Sequence, residues 1–262
     1  MPIERSARSV IFTALGEAVV VRARRILADA EEIRGLARQA HKPYDGTIRL
    51  GMFPTLGPYL LPHVVQELHT RFPGLEILLV EEKTAVLLDE LRSGALDAAA
   101  VALPIIDETL HVEPLFREDF VLAAPAGDPV GTGEGPLDAT AIAGADLLLL
   151  TEGHCLREQA LDVCAETGAI EHVGFRATSL ETLRHMVAAG VGSTLLPELA
   201  VAPPVTPNPG IVLRRFAHPS PHRDIALVWR RTSVYRDLLL HVASVLREAV
   251  PDDLVRPLPA AG

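Results

Sequence analysis

Cysteine is scarce in this chain: 262 residues carry two, Cys155 and Cys164, with no CxxC pair and no repeated Cys/His spacing. That scarcity excludes a disulfide scaffold and a zinc module, both of which need several ligands at set intervals. Long hydrophobic runs are also missing. Runs such as 147–150 and 98–103 fall far short of the roughly 20 apolar residues that a membrane-spanning helix needs. The start, Met1-Pro2-Ile3-Glu4-Arg5, lacks the basic stretch, apolar core and cleavage site of a secretory signal. GxSxG, HExxH and a phosphate-binding glycine loop are absent as well. A cytoplasmic protein with no membrane contact, no metal and no cofactor is expected.

What is present is ordinary globular composition, 48% hydrophobic and 22% charged, in a chain long enough for two compact lobes. The net charge of −10 is uneven: residues 1–40 hold seven Arg against five acids, so the rest carries −12. That acidic remainder has no electrostatic footprint for nucleic acid.

From Thr13, an N-cap candidate, a helix is expected to about Gln39, with Pro43 beyond it. Its apolar positions Val19, Ala23, Ile26, Ala30, Ile33 and Ala37 are spaced 4, 3, 4, 3, 4, the seam of a coiled coil, and self-association follows. Packing of this helix on its own domain is the alternative. After residue 46 strands alternate with helices: strand 47–52, helix 58–72, strand 75–81, helix 84–92 and strand 97–102. Strands 110–116 and 119–125 lead into a Gly/Pro loop, 127–136. Strand 146–150, helix 155–166, strand 173–177, helix 179–189 and strand 192–196 form a second set. A Pro-rich turn at 202–209, strands 210–215 and 223–230 and helix 234–249 close the chain. The pattern reads as an α/β fold of two lobes, with ligands at strand carboxyl ends and between the lobes.

Both cysteines fall on the helix at 155–166. Nine helical steps rise roughly 13–14 Å and turn about 900°, putting the thiols on opposite faces, whereas a disulfide needs Cα atoms within about 7 Å. Pairing them requires the helix to come apart, which is the physics of a redox switch. Cys155 stands at the first turn, where unpaired N–H groups and the helix dipole favour an anion. His154 and Arg157 are positioned to add positive charge, and all three influences lower a thiol pKa toward the thiolate that attacks peroxide. A small buried residue is the competing reading for Cys155, and core filler for Cys164. A His beside a Cys is poor chelating geometry, so no metal is expected there. Thr55, where a strand feeds a helix, either caps that helix or faces a cleft; Thr84 carries the same ambiguity. Arg223 reads as an ordinary solvated charge. Ser179 has the signature of an N-cap, with Thr182 three positions on.

Four segments are specific enough to carry a resemblance: Pro54–Pro62 (PTLGPYLLP), Gly153–Gln159 (GHCLREQ) followed by Cys164, Phe175–Gly190 (FRATSLETLRHMVAAG) and Leu195–Leu199 (LLPEL). From Glu4 to its end the chain resembles the LysR-type transcriptional regulators, and among them the peroxide-sensing branch. That resemblance implies a two-lobed effector domain of the periplasmic-binding-protein type behind a coiled-coil linker helix. The implied division is a winged-helix strand plus linker helix at 1–45, a first lobe at 46–119 and 223–262, and a second at 120–222. It implies Cys155 as the peroxide-reacting thiol, Cys164 as the one that resolves it into a disulfide, and Thr55, Thr84, His154, Arg157 and Arg223 as support. Glu158 stands where the pattern has Asp.

Members of that family begin with a winged helix-turn-helix of about sixty residues, and this chain enters at its last strand, 4–13. On that basis operator reading is expected of a longer protein only, as are contacts with promoter DNA and RNA polymerase. The implied partners otherwise are hydrogen peroxide, further copies of the chain in a homodimer or homotetramer, and a disulfide-reducing thiol system. A non-enzymatic sensor is the expected function. A thiol peroxidase using the same cysteines and a small-metabolite-binding domain are the alternatives.

Overall fold

The structure, a computed structural model, describes residues 3–5, 10–16, 18–20, 22–23, 26–27, 30, 33, 44–133 and 135–259. Strands β1 (Ile3–Arg5) and β2 (Val10–Phe12) pair antiparallel. The described residues between 14 and 33 are helical and form α1. Thr13 caps it, its hydroxyl oxygen accepting the Gly16 N–H at 3.1 Å. The seam residues Val19, Ile26 and Ile33 are exposed in the single chain. Ala37 and Gln39 lie outside the described residues.

The next segment is a run of parallel strands and crossover helices: β3 (Gly46–Met52), α2 (Gly57–Arg71), β4 (Leu75–Glu81), α3 (Thr84–Ser93) and β5 (Ala98–Ala102). β3 lies between β4 and β5 and is parallel to both, a connection that needs a helix to return the chain. Every residue of β5 is buried, as a central strand covered on both faces must be. α3 stops at Gly94, whose φ of +79° suits glycine and whose N–H turns back to the last helical carbonyls.

The two strands expected at 110–116 and 119–125 are one strand, β6 (Leu110–Pro125), 16 residues long. The polar stretch Arg117-Glu118-Asp119 looks like a turn in sequence, yet each member has a distant partner. Arg117 donates twice to Asp224, at 2.6 and 2.8 Å, Glu118 pairs with Arg223 at 2.7 Å, and Asp119 pairs with Arg256. Satisfied this way, the charges stay in the ladder. The first part of β6 pairs antiparallel with β11 (His222–Arg230), which also pairs with β5. Its last part pairs antiparallel with β10 (Ile211–Arg215) and β9 (Thr194–Pro197). α6 (Arg236–Glu248) packs a buried Leu/Val face against β6 and α2, and the short β12 (Arg256–Pro257) adds to β6.

Around the far part of β6 sit β7 (Asp146–Leu150), α4 (Cys155–Thr167), β8 (Ile170–Ala177) and α5 (Leu180–Ala188). β7 and β8 are parallel, as the alternation implies, whereas β9 joins β6 antiparallel. β8 starts at Ile170, three residues before its expected start at 173. Ser179 caps α5, accepting the Thr182 N–H at 3.2 Å. The Gly/Pro loop contains one short 3-10 turn, Pro129–Thr132, capped by Asp128, and a second follows it at Ala139–Ile142, capped by Asp138. One hydrophobic core runs through both halves, from Leu50 and Trp229 to Leu148 and Val187.

Candidate functional site

β7 ends at Leu150, and the turn 151–154 brings the chain round to Cys155, the first residue of α4. Gly153 makes that turn at φ +83°, and a Cβ there would lie 3.2 Å from Lys83 Nζ. His154 is the N-cap residue, but its side chain makes no capping bond. The helix N-terminal N–H groups are therefore left to the thiol: those of Cys155 and Leu156 both pull its pKa down.

The opposite wall comes from β3, α3, β6 and β11. Arg223, 0% exposed, donates from Nη1 to Thr55 Oγ1 at 3.1 Å and from Nη2 to the Thr55 carbonyl at 3.0 Å. Its guanidinium lies 5.3 Å from the centre of the Phe53 ring. Its Nε donates at 2.7 Å to Glu118, whose other carboxylate oxygen accepts the Leu199 N–H at 2.8 Å. Arg223 is the leading influence lowering the Cys155 pKa, but burial outweighs it and pushes the thiol above its ordinary value. Burial likewise pushes the Glu118 carboxyl up, against the pull of Arg223 and the Leu199 N–H. Both Glu118 oxygens face donors, which is the arrangement of a carboxylate.

Thr55 does not cap α2: the residue at that position is Leu56, and no side chain bonds to the helix end. Its oxygen accepts from Arg223, which leaves its own O–H free to donate. Thr84 sits at the start of α3 with its hydroxyl beside the Cys155 thiol, lowering the thiol pKa. His154 Nδ1 and Gln159 Oε1 are buried without a hydrogen-bond partner, and Thr84 Oγ1 has none besides the Cys155 thiol. Gln159 follows Cys155 by four residues and so shares its helix face. Buried unpaired polar atoms are uncommon, and two on the segment that carries the thiol, with the Thr84 hydroxyl beside it, mark a place for a small polar ligand.

Two sequence expectations are corrected here. His154 brings no positive charge, because burial and then Lys83 push its pKa below the ordinary histidine value. Arg157 is turned away from the thiol: it donates to both oxygens of Glu171, at 2.8 and 3.0 Å, and to the Leu150 carbonyl at 3.3 Å. Arg223 takes their place as the nearby cation. Sequence reading missed Glu118, which is fully buried in a strand, and left Gln159 without a role. The GHCLREQ pattern carried a signal for Gln159 one helical turn beyond the cysteine. No local signal marks Glu118.

Both thiols are free. Cys164 is buried near the other end of α4, on a face with Leu156, Ala160 and Val163. Burial, then Glu171, pushes its pKa up. With α4 unbroken between them, the two cysteines are separated by a rise of about 13–14 Å.

The two halves touch around this site. Lys83 Nζ donates to the Glu152 carbonyl at 2.9 Å, and Tyr59 OH to Glu181 at 3.4 Å. Burial and then Glu181 push the Tyr59 pKa up to about 12. A cleft of about 690 Å³ reaches Gln159 and Arg223 between Leu103, Thr140, Asp162 and Asp224. Among the described residues no group of three His, Cys, Asp or Glu side chains is arranged to hold a metal, and no helix is long and apolar enough to cross a membrane.

The α/β fold with a polar cleft between its two halves is that of a substrate-binding domain. The LysR substrate binding domain model matches residues 41–251, and the chain belongs to that family. It is 43% identical over 247 residues to the DNA-binding transcriptional dual regulator OxyR of Escherichia coli K12, covering 94% of this chain and 80% of that protein. A hydrogen-peroxide-bound cysteine-to-serine variant of Corynebacterium glutamicum OxyR superposes with a TM-score of 0.77 at 35% identity, covering 95% of this chain and 78% of that one. The oxidized form of OxyR superposes with a TM-score of 0.70 at 45% identity, covering 78% of this chain and 96% of that one.

Proposed function

We propose that this chain is the hydrogen-peroxide-sensing regulatory part of a LysR-type transcriptional regulator, switched by an internal disulfide. The observation that carries the reading is the set of polar groups at Cys155: the Thr84 hydroxyl beside the thiol, His154 Nδ1 and Gln159 Oε1 unpartnered on the same segment, and the buried charge of Arg223. A peroxide molecule is small, donates two O–H bonds and offers lone pairs on both oxygens, which matches that set. The relatives named for OxyR, one of them a peroxide-bound structure, support the same assignment.

In this mechanism the Cys155 thiolate attacks one peroxide oxygen and the O–O bond breaks. The sulfur is oxidised to a sulfenic acid, and the other oxygen leaves as hydroxide and takes a proton. Thr55, Thr84 and Arg223 supply donors for the departing oxygen. The Cys164 thiol then displaces hydroxide from the sulfenic sulfur, forming the disulfide and releasing water. The segment between them must unwind for this, so covalent chemistry becomes a change of shape. Arg157, tied to Glu171, supports the folded helix and not the peroxide.

The reading extends to a first lobe of 46–119 and 223–262, a second of 120–222, and association through the seam of α1 into a homodimer or homotetramer. Contacts with promoter DNA and RNA polymerase belong to the intact regulator, and a cellular thiol system resets the bond in the cytoplasm. A sensor needs one oxidation per signal, which separates it from a thiol peroxidase. Mass spectrometry after one equivalent of hydrogen peroxide tests the proposal: a Cys155–Cys164 bond is expected. Sustained peroxide consumption with a thiol reductant, or ready oxidation with neither cysteine modified, refutes it.

A further inference from the structure

In the pair Glu118–Arg223 both side chains are wholly removed from solvent. It also joins elements far apart in sequence. Glu118 lies on β6, Arg223 on β11, Thr55 follows β3, and the Leu199 N–H that completes the carboxylate comes from the turn after β9. Three of the five guanidinium N–H groups are thereby directed to Glu118 and Thr55. Two buried charges taken out of water are tolerable only as a matched pair. A thiolate at Cys155 is a second anion, and it competes with Glu118 for the same cation.

We infer that Glu118 is the resting counter-ion of Arg223 and, through it, a positioning residue for Cys155: it fixes the guanidinium beside Thr55 while keeping its charge from ionising the thiol. The inference rests on the reading of Cys155 as the peroxide-reacting thiol. The titratable and charged groups around Cys155 include Arg223 on β11 with Glu118 behind it on β6, His154 ahead of α4 and Lys83 ahead of α3; Tyr59 of α2, itself beside Glu181, faces Arg223, Glu198 after β9 faces Glu118, and the Lys83 ammonium is held by the Glu152 carbonyl. Of these, Arg223 is the one that draws the thiol pKa down, and Glu118 is its partner. The resting site therefore sets a thiol whose pKa burial pushes up beside an arginine already paired with a carboxylate, which guards it from indiscriminate electrophiles.

The test is alkylation of Cys155 by iodoacetamide as a function of pH, in the whole chain carrying Cys164→Ser, read by mass spectrometry. With Glu118→Gln the midpoint should move to lower pH and the rate at pH 7 should rise about tenfold, the equivalent of one pKa unit. Glu118→Asp should restore the original profile. A merely structural role would raise alkylation at every pH with the midpoint in place; that outcome, or a midpoint moved upward, overturns the inference. Should Glu118→Gln fail to fold, Arg223→Gln is compared with Arg223→Gln/Glu118→Gln. The single variant leaves a lone buried carboxylate and should have the higher midpoint, and equal midpoints overturn the inference. No peroxide enters these measurements, so failure of Cys155 to react with peroxide would sink the sensor reading and leave the midpoints informative.

Discussion

The two ends of α4 hold the same functional group in opposite surroundings. At the first turn, Cys155 meets backbone N–H groups, the Thr84 hydroxyl and the charge of Arg223, all of which favour its anion against the cost of burial. Near the last turn, Cys164 shares a packed face with Ala160 and Val163, and both burial and Glu171 disfavour its anion. On the proposed reading this difference gives the order of events: the first thiol reacts, and the second is stored until the helix between them opens. Arg157 belongs to neither role, since its bidentate bond to Glu171 and its contact with the Leu150 carbonyl fasten the first turns of α4 to β8 and β7.

Exchanging the ends is the most direct way to break this comparison. Cys155→Ser should abolish peroxide-dependent loss of free thiol. Cys164→Ser should leave oxidation of Cys155 in place, stopped at the sulfenic acid and detected as a dimedone adduct. If Cys164 oxidises alone at a comparable rate, the asymmetry is wrong. Arg157→Ala strips the fastening and leaves Glu171 unpaired. It should lower stability by about 1–3 kcal/mol in urea unfolding and speed disulfide formation, with faster amide exchange confined to α4 and β8. Unchanged exchange there would place the opening elsewhere.

A smaller effect probes the first half by acid. The bonds from Arg117, foremost, hold the Asp224 carboxyl below its ordinary value of 3.8. A depressed carboxylate contributes fully above that unfolded-state value and loses its contribution as pH falls toward its folded-state value. The melting temperature should therefore drop below about pH 4, and Asp224→Asn should flatten that part of the curve. A curve unaltered by the substitution would show the pair to be without consequence. Lys83→Ala should do least, about 0.5–1 kcal/mol for one exposed hydrogen bond, and should alter the rate of Cys155 oxidation more than the stability.

Much of the fold was readable where signals are local. β4 occupies 75–81 and β7 occupies 146–150, as their apolar runs imply, and α3 and α4 stop at Gly94 and Gly168, each at φ +79°. β6 was split in reading because Arg117, Glu118 and Asp119 find their partners more than a hundred residues away, and no local pattern announces such a pairing. The site divides in the same way. The turn 151–154 and the placing of Cys155 at a helix start followed from neighbours in the chain. The true cation and its counter-ion meet the thiol only through sheet register. His154 and Arg157, adjacent in sequence, were credited with a charge that burial removes from one and Glu171 captures from the other.

β6 crosses from one half of the molecule to the other without a break, and at sixteen residues it measures roughly 50 Å. Apart from a bulge at Leu115 against β11, it is laced along its length by neighbours, so one strand is shared by both halves. On the proposed reading, unravelling of α4 reshapes the surface of the second half, and the message is a change of relief offered to a second copy of the chain.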